Sequence, residues 1–380
     1  MIDNFDLKQL VQPLQTWFED NARVLPWREN PQAYYVWISE IMLQQTRVEA
    51  VKPYFDRFIH ELPNVKALAE CEEDRLLKLW EGLGYYNRVR NLKIAANQIL
   101  EEYDGVIPSE YEELLKLKGI GSYTAGAIAS IAYGKAVPAV DGNVLRVISR
   151  VAADDSDIMK QSVRNAMEKA LFDLMNGVQD VIPSIFNQAL MELGATVCLP
   201  NGAPHCEVCP WHEICEARKQ GRIAELPVKK KAKERRIEEK TILIIKDGSQ
   251  LALHKRPKKG LLAGLYELPN VAGYLSEEDV VEYIKGQGYA PIRIQSVCDA
   301  KHIFSHVEWH MKGYVVFVQA KEFEEDTKLC RNKMQMDNLT QETPDWIFVE
   351  VEDTKENYAI PSAFVKYTEY LNMTIGKDAI

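Results

Sequence analysis

At 380 residues, with 46% hydrophobic and 27% charged side chains, the chain can form two or three domains with real cores and is not a disordered protein. No apolar run reaches membrane-spanning length, and the acidic start MIDNFDLKQL lacks the basic and apolar regions of a secretory signal, so a cytoplasmic protein is expected. The formal net charge of −10 argues against a polyanionic partner, but residues 1–226 carry 23 basic and 32 acidic side chains against 23 and 24 in 227–380, so any nucleic-acid surface has to be local.

The first informative element is WISEIMLQQT, Trp37 to Thr46. Trp37, Ile41 and Val48 fall on one helical face, and Val36 and Leu43 flank Glu40 on another, so the carboxylate sits in a helix patterned for the interior. Burial disfavours the charged form. Either Glu40 pairs with an arginine such as Arg28 or Arg47, or it is a general acid kept protonated near neutral pH.

Farther along, RLLKLWEGLG, NLKIAANQILEEY, YEELLKLKGIGSYTAGAIASIAYG and SVRNAMEKALFDLMN carry apolar positions three and four apart, so this half is helical. Within LLKLKGIGSYTAGAI, Gly119 and Gly121 break the pattern for a tight turn, and a second helix starts at once. Such a turn is either an ordinary helical hairpin or one whose amides approach a phosphate. Ala125, Gly126, Ala127 and Ala129 imply a tightly packed second helix. In AVPAVDGNVLRVISR, Asp141 stands where an N-cap belongs, and it could instead stabilise a cation on a cavity wall.

Seven cysteines could suggest disulfides, yet four crowd into CLPNGAPHCEVCPWHEIC while Cys71, Cys298 and Cys330 are scattered. Cys198, Cys206, Cys209 and Cys215, spaced C-x7-C-x2-C-x5-C, suit a tetrahedral zinc or a [4Fe-4S] cluster, and spacing does not choose between them. Either would serve as a structural staple.

A charged segment without apolar periodicity, PVKKKAKERRIEEK, marks a linker over 227–240 between a helical domain, 1–226, and an α+β domain, 241–372. In the latter, TILIIK and LALHKR flank DGSQ as a hairpin, SEEDVVEYIKGQG is a short amphipathic helix, and PIRIQSV and YVVFVQA are further strands. Residues 373–380 read as a loose tail.

The order of LPWR, WISEIMLQQT, GLGYYNRVRNL, LKGIGSYTAGAI, VDGNVLRV and the four-cysteine run resembles the helix-hairpin-helix DNA glycosylases, most closely the adenine glycosylases of MutY type, over nearly the whole chain. The resemblance implies a multidomain protein: an all-α helix-hairpin-helix glycosylase domain (hairpin near 114–130, four-Cys loop 198–215) and an α+β Nudix-like domain that recognises 8-oxoguanine. It implies one [4Fe-4S] cluster on Cys198, Cys206, Cys209 and Cys215, and a grip on the DNA backbone through Gly119 and Gly121. The partner it implies is double-stranded DNA with A:8-oxoguanine or A:G mispairs, met by a nucleoid-associated monomer.

By the same resemblance Glu40 protonates N7 of a flipped adenine and Asp141 stabilises or traps the oxocarbenium ion, with Asn143 orienting Asp141 and Tyr123 lining the cavity. Arg23, Trp27, Arg28 and Gln188 match adenine-pocket positions; read without it, they are surface charge, core and helix solvation. Gln45, Thr46, Leu83 and Tyr85 match residues that wedge into the duplex or meet the lesion. Phe304, Ser305 and His306, in HIFSHVEWH, match a lesion-sensing loop.

Tyr123 stands where bifunctional relatives carry a Schiff-base lysine, and a phenol forms no imine, so base removal without efficient strand cleavage is expected. GLLAGLYELP looks Nudix-related, but no REx2EE follows, so this domain should bind rather than hydrolyse. The first cysteine spacing is seven residues where the family usually has six. Arg88, Arg90, Lys93 and the Lys229–Arg236 segment are the expected basic DNA face.

Overall fold

The computed structural model describes residues 5–229, 235–320 and 346–371; residues 230–234 of the linker, Cys330 and the tail lie outside them, and the linker's last five residues, 236–240, belong to a strand. Two compact units result. The first takes the chain up to Cys71 and from Asn87 to the linker, and the second takes Glu72–Tyr86 together with the chain after the linker.

In chain order the helices are α1 (Val11–Asn21), α2 (Pro26–Glu29), α3 (Ala33–Leu43), α4 (Val48–Glu61), α5 (Val65–Glu70), α6 (Glu73–Leu79) and α7 (Asn87–Glu102). They continue as α8 (Tyr111–Leu114), α9 (Ser122–Ala127), α10 (Gly142–Val151), α11 (Gln161–Gly177), α12 (Pro183–Thr196) and α13 (Glu216–Lys219). All but α6 belong to the first unit.

α3 is buried on nearly every side, from Tyr34 through Met42, which matches its lack of a polar face. It packs against α9 and the π-helical turn Ile128–Ala132 that continues α9. A second core joins Leu14 and Phe18 of α1 to Val144 and Ile148 of α10, Leu171 of α11, and Phe186 and Leu190 of α12. The hairpin between α8 and α9 depends on two glycines. Gly119 has φ +81°, and a Cβ there would lie 2.6 Å from Asn91 Cβ; at Gly126 a Cβ would lie 2.1 Å from the Pro138 carbonyl oxygen. The small residues of α9 thus do permit the close approach their size suggests.

The second unit is built on one sheet of β1 (Arg236–Asp247), β2 (Gln250–Lys255), β3 (Tyr266–Glu267), β4 (Asn270–Ala272), β5 (Tyr289–Ile303), β6 (Val307–Ala320) and β7 (Trp346–Glu350), with α14 (Glu277–Gly286) before β5. The path is β3-β2-β1-β6-β5, with β4 on β1 and β7 on β2; β1 and β6 run parallel and the other pairs antiparallel. The hairpin read from DGSQ is present, with Asp247 opposite Gln250. The central four residues of TILIIK are apolar without alternation because both faces are covered: Ile242 and Ile244 meet Phe364 and Tyr367, while Leu243 and Ile245 meet Val280 and Ile284 of α14. β5 and β6 extend beyond PIRIQSV and YVVFVQA to form a long hairpin, and Phe304–His306 is its tip.

Segment 72–86 packs within this unit. Lys78 Nζ donates to Glu81 Oε2 (2.6 Å) and to the carbonyls of Thr354 (2.9 Å) and Tyr358 (3.1 Å), and the Ile360 amide donates to Glu81 Oε1 (2.7 Å).

Candidate active site

Glu40 is 5% exposed, in the middle of α3. Neither arginine weighed as its partner pairs with it: Arg28 is engaged elsewhere, and Arg47 is exposed at the start of α4. Its partner is Tyr123 of α9, whose hydroxyl donates to Oε2 and also lies 3.1 Å from Met191 Sδ on α12. Burial raises the Glu40 carboxyl to about 7; the Tyr123 bond and the charge of Arg28 pull against this, while the Asp141 charge adds to it. Tyr123 in turn is pushed well above the ordinary phenol range by burial and by both carboxylates. Both carboxyl charges are thus near enough to bear on the Tyr123 hydroxyl.

Asp141 is the N-cap its position suggests. It caps α10, with Oδ1 accepting from the Val144 amide (2.8 Å), while Oδ2 accepts from Asn143 Nδ2 (2.8 Å). Burial holds its carboxyl above the usual range in spite of these bonds. Asn143 Oδ1 accepts from Arg146 Nη2 (3.0 Å), so the amide is fixed in the orientation that donates to Asp141. Arg146 also binds the carbonyls of Gly194 (2.8 Å) and Cys198 (3.0 Å).

Arg23 and Arg28 converge on Glu192 of α12. Arg23 meets both carboxylate oxygens (2.6 and 2.9 Å), and Arg28 Nη2 meets Oε2 (2.9 Å). Glu192 is 1% exposed; burial would raise its pKa, but the Arg23 bonds and the Arg28 charge prevail and hold it below the usual range. Trp27 is buried edge-on to Phe55 at 5.3 Å, a core position, and Gln188 Nε2 bonds back to its own helix at Ser184 O (3.1 Å).

The thiols of Cys198, Cys206, Cys209 and Cys215 line one small cavity with Arg150 and Arg218 in its wall. Arg150 Nη1 lies 3.3 Å from Cys198 Sγ, and burial pushes the Cys209 thiol up to about 12. Among the described residues no three His, Cys, Asp or Glu side chains stand as a ligand set for a single metal ion. Four sulfur donors facing one cavity fit a thiolate-held metal centre, and the two arginines in its wall would offset thiolate charge.

Gln45 (φ +62°) and Tyr85 (φ +48°) both hold left-handed backbones, a costly conformation for such residues and one that concentrates at functional positions. Gln45 is exposed in the first unit and Thr46 is half-buried beside it. In the second unit Leu83 is buried, and the exposed Tyr85 hydroxyl lies 2.9 Å from Ser305 Oγ at the β5–β6 tip. Phe304 is held edge-on to Trp309 (4.9 Å), whereas Ser305 and His306 are exposed. Arg88, expected on a DNA face, instead turns inward: Nη1 binds the carbonyls of Ile41 (2.6 Å) and Gln44 (2.7 Å), capping α3 next to Gln45. Lys93 likewise donates to the Cys71 carbonyl.

Residues 38–171 match the model of the HhH-GPD superfamily of base excision DNA repair proteins, and residues 241–370 match a NUDIX domain. The chain is 33% identical to an adenine DNA glycosylase of Rattus norvegicus over 84% of this chain and 72% of that protein. It is 33% identical to one of Buchnera aphidicola subsp. Baizongia pistaciae, over 81% of this chain and 86% of that protein. The chain belongs to the adenine DNA glycosylase family. A third member, from Schizosaccharomyces pombe, is 32% identical over 80% of each chain. The protein is thus a DNA N-glycosylase with a helical HhH-GPD domain and a Nudix-like α/β domain, and none of its described helices is long and apolar enough to cross a membrane.

Within this glycosylase the residues that sequence reasoning missed are Glu192, Met191 and Arg146. Their signal was thin: a glutamate in the apolar run ALMELGA, and an arginine among valines and leucines in NVLRVISR. Glu192→Gln is expected to destabilise the fold by ~1–3 kcal/mol at pH 7, since two arginines lose charge-assisted bonds in a buried setting. The depressed Glu192 pKa means this stability is present above the unfolded value of 4.5 and is lost as pH falls through the lower folded value. Urea melts of both proteins should therefore keep their separation from pH 7 to about pH 4.5 and converge only below it.

Proposed function

We propose that this glycosylase removes adenine mispaired with 8-oxoguanine, or with guanine, from double-stranded DNA, acting as a monomer and initiating base excision repair. Carrying the reading is Glu40, a carboxyl 5% exposed and raised to about 7, held under Tyr123 and close enough to feel Asp141. A duplex hides the N-glycosidic bond, so the adenosine has to be extruded before chemistry. Protonated Glu40 gives its proton to N7 of the base. The C1′–N9 bond then breaks with its electrons moving into the purine, and the ionised Asp141, oriented by Asn143, steadies or traps the sugar cation until water adds at C1′. Tyr123 holds Glu40 and offers no amine, so the product is an abasic site rather than a nicked strand. Arg23, Trp27, Arg28 and Gln188 form or back the adenine pocket.

The turn at Gly119 and Gly121 grips the DNA backbone. Gln45, Thr46, Leu83 and Tyr85 meet the space and the base opposite, with Phe304, Ser305 and His306 distinguishing 8-oxoguanine from guanine. Cys198, Cys206, Cys209 and Cys215 would hold one [4Fe-4S] cluster, which supplies a cross-link at the C-terminal end of the helical unit. The purified protein should then be brown and contain about four iron and four sulfide per chain; colourless protein carrying one zinc would replace this part of the reading.

The test is incubation with duplexes bearing A opposite 8-oxoguanine, G, or T, followed by alkali. Adenine release should be fastest opposite 8-oxoguanine, slower opposite G and slowest opposite T. Equal rates on all three would remove the lesion-recognition half of the proposal.

A further inference from the structure

Segment 72–86 lies inside the region that matches the HhH-GPD model, yet it clusters with the C-terminal sheet. Besides Asp74, whose carboxylate accepts from Lys255 Nζ (2.7 and 2.8 Å) and from the Tyr266 hydroxyl (3.4 Å), it is fastened there at two places. One is the Lys78–Glu81 pair, whose side chains are 9% and 11% exposed. Lys78 Nζ has three hydrogens and three acceptors, one carboxylate oxygen and two backbone carbonyls, and the other Glu81 oxygen takes the Ile360 amide. The other place is the Tyr85–Ser305 contact (2.9 Å). Between them the Trp80 indole N–H closes the turn onto the Gly84 carbonyl (3.0 Å), so the stretch from Lys78 to Tyr85 is tied at its start, middle and end.

We infer that the Lys78–Glu81 pair is a positioning device for reading the opposite base: by locking the 72–86 turn to the 354–360 segment it sets where the Tyr85 hydroxyl meets Ser305. The inference rests on the reading that Tyr85 and Ser305 face 8-oxoguanine. A surface ion pair would contribute little, but this one is nearly buried, and Lys78 spends both remaining hydrogens on backbone carbonyls of the other segment, the geometry that fixes a register. Telling apart two purines that differ at one edge requires polar atoms placed to within about 0.5 Å. Tyr85 already sits in a strained left-handed backbone, and surrounding bonds have to maintain it.

Two variants test this. Lys78→Met removes the amine, and Lys78→Met/Glu81→Gln also removes the carboxylate charge while keeping an acceptor for the Ile360 amide. Single-turnover adenine release is measured opposite 8-oxoguanine and opposite G, at a temperature where melting curves show every protein fully folded. In parallel, hydrogen exchange is followed at residues 354–361 and 80–86 of the free protein. Both variants should lower the 8-oxoguanine-to-G rate ratio by about tenfold, or ~1.4 kcal/mol, chiefly through the 8-oxoguanine rate, with faster exchange in both segments. An unchanged ratio in the folded double variant, where wild type prefers 8-oxoguanine, overturns the positioning role alone. Unchanged exchange overturns the lock itself. Absence of any preference in wild type overturns the reading beneath it, and the inference with it.

Discussion

Glu40→Gln should slow adenine release by about 10²- to 10⁴-fold under single-turnover conditions, the usual contribution of a positioned general acid. The amide has the shape of the carboxyl and can still accept from Tyr123, but it has no proton to give, so mispair binding should persist. The pH dependence follows from the same carboxyl. Burial has raised it from 4.5 to about 7, so wild-type rates should level off below that value and fall about tenfold per pH unit above it, while the residual rate of the variant should lack this limb.

Stability should move the other way. Below 4.5 the carboxyl is protonated in folded and unfolded chains alike, so burial carries no charge penalty there. As pH rises through about 7 the folded protein has to hold the charged form in a dry site, a cost of about 3 kcal/mol for a shift of this size. Glu40→Gln should thus be the more stable protein above pH 7, with the gap closing toward pH 4.5. A variant that excises within threefold of wild type, or melts identically at pH 8, would show that Glu40 is not the buried acid.

The first carboxyl was legible because its helix is patterned so strongly for burial that a lone acid in WISEIMLQQT had to be explained. Local geometry also made the cap at Asp141, the turn at Gly119 and the Asp247–Gln250 hairpin readable, since each is decided within a few residues. Partnerships across the chain were not. Arg23 and Arg28 meet Glu192 over more than 160 residues, and nothing near position 23 announces it. Arg88 reads as surface charge until the end of α3 is folded against it, when the unsatisfied carbonyls of that helix decide its direction. The extra length of β5 was hidden for a related reason: as the edge strand beyond β6, its stretch CDAKHI is polar and mostly exposed, so it lacks the alternation that marks a half-buried strand. The grouping of 72–86 with the C-terminal sheet rests on long-range partners, among them Asp74 with Lys255 and Lys78 with two carbonyls near position 356, facts of tertiary structure alone.

Asp141→Asn is expected to separate folding from catalysis most cleanly. Asparagine caps helices about as well as aspartate, so the Val144 amide keeps an acceptor and α10 keeps its start. On the other side an amide nitrogen would face the Asn143 donor, losing one hydrogen bond, but removing a carboxylate that burial has pushed above its usual range offsets much of this. The variant should melt within a few degrees of wild type. Activity should nevertheless fall by at least about 10²-fold, because a neutral dipole cannot balance the positive charge left on the sugar as adenine departs in a site shielded from water.

A second consequence distinguishes this from a loss of packing. The Asp141 charge is one of the groups holding Glu40 up, so without it the Glu40 carboxyl should titrate at lower pH, and the alkaline limb of the residual rate should move toward acid. Measured against pH, the remaining rate of Asp141→Asn should begin its fall earlier than that of wild type. A limb that stays in place would mean the two carboxyls do not share a site, and the division of labour between acid and cation stabiliser would have to be abandoned.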